Sequence, residues 1–104
     1  MRIFVDGGDA FEQTIVVETI EAIARSKSPV TRLVVQDSTQ GAGQTATDWA
    51  RAREIQIVET AQYLLERPDA AILFPGTSHK PFRAFMQAGI PIYRVTPEGR
   101  FTKY

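Results

Sequence analysis

The 104-residue sequence contains no cysteine, which excludes disulfides, thiolate metal ligands and cysteine nucleophiles together. It has a single histidine, His79, so a histidine-based metal site would have only carboxylates for company, and no metal is expected. Neither sign of charge is in excess: twelve Lys and Arg face twelve Asp and Glu, for a formal net charge of +0. Binding to nucleic acid or to an anionic membrane rests on surplus positive charge, so neither is an expected partner. No apolar run approaches the roughly 20 residues of a membrane span. Met1-Arg2-Ile3 leads straight into a strand-like segment rather than a signal peptide. A cytoplasmic location is the expectation. Repeats and low-complexity tracts are absent. So are G-x-G-x-x-G and G-x-x-x-x-G-K-[ST], which removes the standard dinucleotide and P-loop fingerprints.

What the sequence does contain is ordinary globular composition, 43% hydrophobic and 23% charged, in a length suited to one domain over residues 1–104. Arg2 to Asp6 is a short apolar strand cut off by Gly7-Gly8. Phe11, Ile15, Thr19 and Ile23 recur every four residues, with Val16 and Ile20 beside them, so a helix is expected to about Arg25. Ser26-Lys27-Ser28-Pro29 ends it. Leu33-Val34-Val35 reads as a second strand, and Ala42 to about Glu54 as a helix whose apolar stripe holds Ala46, Trp49 and Ala50. A strand at Ile55 to Val58, one helical turn at Tyr63 to Leu65 and a strand at Ala70 to Phe74 follow. Pro81 suits the first turn of a helix that Gly89 ends. Pro91 to Val95 is a fifth strand, and Pro97-Glu98-Gly99 turns the chain into an antiparallel edge at Arg100 to Lys103.

Strands that alternate with helices and read as continuous apolar runs imply an α/β, three-layer, Rossmann-like domain. Its sheet should be mostly parallel, with about five strands, helices on both faces and a C-terminal edge hairpin. Leu33–Val35 and Ala70–Phe74 are expected as neighbouring parallel strands. Ligands of such sheets bind beyond the carboxyl ends of the strands. Three loops lie there: Gly7-Gly8-Asp9, Asp37 to Gly43, and Pro75 to Lys80. Each leads into a helix start, where free N–H groups favour an anion. Thr77 and Ser78 add hydroxyls and Lys80 a positive charge. The competing reading is that Gly7, Gly8, Gly41, Gly43 and Gly76 are turn and capping residues.

The order of these segments resembles the SLOG superfamily of Rossmann-like nucleotide-binding domains, in particular its cpYpsA-related branch. The resemblance rests on Val5-Asp6-Gly7-Gly8-Asp9-Ala10-Phe11 and on Gln36-Asp37 through Gly41-Ala42-Gly43 to Trp49-Ala50. It continues through Asp69-Ala70-Ala71-Ile72-Leu73-Phe74-Pro75-Gly76-Thr77 and Ala88-Gly89-Ile90-Pro91. It implies a reduced, diverged member: Asp9 stands in place of an Arg, Gln36-Asp37 in place of His-Gly, and the glycine-rich turn is shortened to Pro75-Gly76-Thr77. Related phosphoribohydrolases of the Lonely Guy type carry a catalytic Glu on the helix after that turn. Here no carboxylate lies between Pro75 and Gly89.

The function expected is therefore binding of a nucleotide or nucleotide-derived ligand without clear catalytic residues and without a further cofactor. The ligand-binding rim would comprise Gly7, Gly8, Asp37, Ser38, Gly41, Gly76, Thr77, Ser78 and Lys80. Asp6, Asp9 and Asp37 crowd that rim, so a weakly anionic ligand is expected, or one contacted away from its phosphate. The alternatives are an interaction or scaffold module that has lost its ligand site and, less favoured, a nucleoside- or nucleotide-processing hydrolase. Self-association is also expected, on the ground that so small a sheet leaves Tyr63, Leu64 and Phe85 poorly hidden.

Overall fold

Ile3, Phe4 and Val5 have no exposed surface at all, so β1 (Arg2–Asp6) must be covered on both faces and flanked on both edges. A computed structural model, which describes residues 1–8, 12–37 and 40–104, shows how. Parallel β2 (Arg32–Val35) pairs with one edge of β1, in a register that sets Ile3 beside Leu33. Parallel β4 (Ala70–Leu73) pairs with the other, with Phe4 beside Ala71. β3 (Gln56–Glu59) extends the sheet beyond β2, and β5 (Ile92–Val95) beyond β4. The antiparallel β6 (Phe101–Lys103) closes the order β3-β2-β1-β4-β5-β6. The fold is α/β with a mostly parallel sheet and a C-terminal antiparallel hairpin, as the alternating pattern implies.

One expectation about strand order is corrected. Leu33–Val35 and Ala70–Phe74 are not neighbours, because β1 lies between β2 and β4. The connections explain why. The chain steps outward from β1 through α1 (Gln13–Ser26) and α2 (Gly41–Ala52), then returns past the centre to build the other half. Right-handed crossovers in opposite directions put their connecting segments on opposite faces. On one face, Val16, Ile20 and Ile23 of α1 and Ala42, Ala46 and Trp49 of α2 pack on Ile3, Val5, Leu33 and Ile72. On the other, a 3₁₀ turn (Tyr63–Glu66) and α3 (His79–Ala88) bring Tyr63 and Phe85 against Phe4, Val34 and Leu73.

This second face has an aromatic centre. The rings of Phe4, Tyr63 and Phe85 stand 4.7, 5.0 and 5.4 Å apart in pairs. Tyr63 is 7% exposed and Phe85 not at all, so neither is available for self-association; of the three residues expected at the surface only Leu64 is exposed. Trp49 is in the core, as its place on the apolar stripe of α2 implies. Among the described residues, no helix is long and apolar enough to cross a membrane.

Candidate functional site

All three helices begin at the carboxyl-end rim, after β1, β2 and β4 respectively. In each, the side chain of the residue before the helix makes no capping hydrogen bond among the described residues, and none carries an acidic residue in its first turn. Free N–H groups at a helix start carry partial positive charge. The rim thus gathers the positive ends of three helix dipoles.

Of the expected site residues, Gly7, Gly8 and Gly76 are brought together by the adjacency of β1 and β4. They are used there to pack one loop against the other. A Cβ on Gly7 would lie 2.7 Å from the Cβ of Phe74 and 2.8 Å from that of Ala42. The Gly8 N–H donates to the Pro75 carbonyl at 2.8 Å, so it is not free for a ligand. Gly76 has φ 95°, a conformation that favours glycine. The Thr77 hydroxyl donates back to the Phe74 carbonyl at 2.9 Å and holds the turn. Gly41 opens α2 at φ 57°, and Asp37 is exposed beyond β2. Ser38 and Asp9 lie outside the described residues.

Ser78 is the residue before α3, and exposed His79 and Lys80 form its first turn. Gly76, Thr77, Ser78 and His79 line a depression of about 60 Å³, closed on its far side by Phe82 and Arg94. Beside it runs an open groove of about 390 Å³ between Pro75 and the β5–β6 hairpin, lined by Thr96, Pro97, Thr102 and Tyr104. Pro75, Arg94 and Val95 border both. Sequence reasoning missed Arg94. Its signal was a charge two residues after Ile92, and therefore on the same face, in a strand otherwise buried on both sides. The guanidinium lies 5.0 Å above the Phe82 ring, which holds it over the start of α3.

Asp6, one of the acids expected to crowd the rim, is partly withdrawn from solvent. It is the last residue of β1 and about half-buried, and Gln36 Nε2 donates to its Oδ2 at 3.1 Å. Burial pushes its carboxyl above the usual range, although the Gly7 N–H and the Gln36 amide oppose the shift. The Tyr63 hydroxyl is raised as well, first by its own burial and then by the negative charge of Asp6. The rim is therefore divided. Acceptors gather at β1 and β2, and cations at α3 and β5. Among the described residues no group of three or more His, Asp or Glu side chains is placed to hold a metal ion.

Comparison with protein-family models, with curated proteins and with solved structures finds no match for this chain.

Proposed function

We propose that the chain is a SLOG-like domain that binds a nucleotide or nucleotide-derived ligand at the carboxyl-end rim, without a catalytic step. One observation carries this reading. The start of α3 has no capping side chain, yet its first turn holds His79 and Lys80, with Arg94 lying beside it. Cations at the positive end of a helix dipole repel it unless an anion sits between them. The small depression has room for one phosphate-sized group, and the adjoining groove past Pro75 and Tyr104 suits a sugar and base. The expected crowding by Asp6 and Asp37 is relieved in this arrangement, because both lie toward the β1–β2 side. The phosphate is then accepted by the Ser78 and His79 end of α3, with Arg94 and Lys80 supplying charge.

Isothermal titration with a nucleoside and its mono- and diphosphates tests the reading. The phosphorylated forms are expected to bind and the nucleoside to bind at least tenfold more weakly, with affinity falling as salt is raised. Arg94→Ala and Lys80→Ala should each weaken nucleotide binding by about tenfold while leaving the melting temperature near that of the unaltered protein. Failure of every nucleotide to bind, or binding untouched by both substitutions, overturns the proposal.

A further inference from the structure

The sheet has one edge at β6, and the hydrogen-bonding pattern there fixes which backbone groups it leaves open. Ile92 and Tyr104 exchange both of their N–H···O bonds, at 3.1 and 2.7 Å, and the Thr96 N–H donates to the Arg100 carbonyl at 2.7 Å. In an antiparallel pair, bonded and non-bonded positions alternate. The paired Arg94 and Thr102 therefore face each other through hydrogen bonds, whereas the N–H and C=O groups of Phe101 and Lys103 point away from β5. Every residue of β6 is exposed, and it carries aromatic surface on both faces of the sheet. Phe101, 43% exposed, meets Tyr93 edge-on on the α1 face; Tyr104, 51% exposed, meets Phe82 edge-on on the α3 face.

We propose that β6 pairs antiparallel with β6 of a second copy of this chain, about a two-fold axis at Thr102, so that one continuous sheet runs through both protomers. The argument for a second copy is self-complementarity. With the axis at Thr102, Phe101 of one protomer faces Lys103 of its partner, and the outward N–H and C=O groups of both residues find partners. The same register sets Tyr104 against Arg100 across the axis. The Tyr104–Arg100 pair thus places a cation beside an aromatic ring, and the Phe101–Lys103 pair sets the lysine's apolar stem beside the other ring, both favourable contacts. Other axes lose this. Centred on Lys103, the pairing sets two ammonium groups opposite each other; centred on Phe101, it leaves Lys103 facing the partner's Gly99 turn. A lysine on an edge strand often guards against such pairing. Here the Lys103 ammonium lies 5.8 Å from the Tyr93 ring centre, across the face of the sheet and away from the free edge. Met86, one turn beyond Phe82 on α3 and 51% exposed, adds apolar surface on the Tyr104 side. A formal net charge of +0 leaves no long-range repulsion between copies.

The chain has no cysteine, so a single introduced thiol reports on this axis without background. Thr102 faces its own copy as a non-hydrogen-bonded pair, where the Cα atoms approach to about 4.5 Å, close enough for a disulfide. Thr102→Cys is expected to cross-link into a covalent dimer under mild oxidation, while Gln44→Cys, at an exposed position on α2 over the opposite half of the sheet, is not. Lys103→Pro removes an N–H that β5 does not use; it is expected to weaken the dimer seen by analytical ultracentrifugation at least about tenfold with an unchanged far-ultraviolet spectrum. Phe101→Glu repeats the test without altering the backbone. A protein that remains monomeric at millimolar concentration, or a dimer that both Lys103→Pro and Phe101→Glu leave intact, overturns the proposal.

Discussion

A side chain on Gly76 would have to occupy the space of Gly8: its Cβ would fall 2.5 Å from the Gly8 Cα and 2.7 Å from the Gly8 nitrogen. The two glycines are far apart in sequence and meet only because β1 and β4 are adjacent. Their contact welds the loops on which the candidate site is built, and it accounts for both residues without reference to a ligand.

Gly76→Ala should therefore destabilise the fold by about 3 kcal/mol or more, from a strained positive φ and a clash with backbone. Gly89→Ala provides the contrast. Its φ is 73°, but a Cβ there would meet nothing within 4 Å, so only the conformational cost of about 1 kcal/mol remains. Urea denaturation of the two variants separates the terms. Equal losses would show that the loop contact contributes nothing.

Asp6 gives the fold a dependence on pH. Its carboxyl titrates higher in the folded protein than the ordinary value of 3.8, so the folded state holds its proton more tightly than the unfolded chain. The favourable contribution is complete below that ordinary value and is lost as pH rises through the folded one. Asp6→Asn retains an acceptor for Gln36 and has no charge to bury. It should raise the melting temperature by a few degrees at neutral pH, with the difference shrinking toward zero as pH falls to about 4. Melting curves across that range check the sign.

The aromatic centre beneath α3 should be intolerant of truncation. Phe85 is fully buried against Phe4 and Tyr63, and Phe85→Ala is expected to cost about 3–5 kcal/mol in chemical denaturation. Tyr63→Phe keeps the ring and should change stability by less than about 1 kcal/mol.

Trp49 presents the opposite case. Its Nε1–H is buried and finds no hydrogen-bond partner among the described residues, although the ring itself packs beneath Arg53, whose guanidinium lies 4.9 Å from the ring centre. Trp49→Phe removes the unsatisfied donor along with some volume, and the two effects oppose each other. A net change within about 1 kcal/mol is expected, against about 3–5 kcal/mol for Trp49→Ala.

Much of the fold was legible along the chain because strand and helix leave their periods in adjacent residues. Arg2–Asp6, the stripe of Val16, Ile20 and Ile23, the stop at Gly89 and the edge after Pro97-Glu98-Gly99 are all local patterns, and their elements appear where those patterns put them. The general position of a candidate site, beyond the carboxyl ends of the strands, follows from the alternation of strands and helices alone. Strand order does not, because which strand sits between which is set by the directions of crossovers and by burial on both faces of β1. Everything that depends on that order was therefore hidden: the contact of Gly8 with Gly76, the half-buried state of Asp6 and the approach of Arg94 to the start of α3. A local pattern records which way a side chain points from its own element, and only the assembled sheet determines what it meets there.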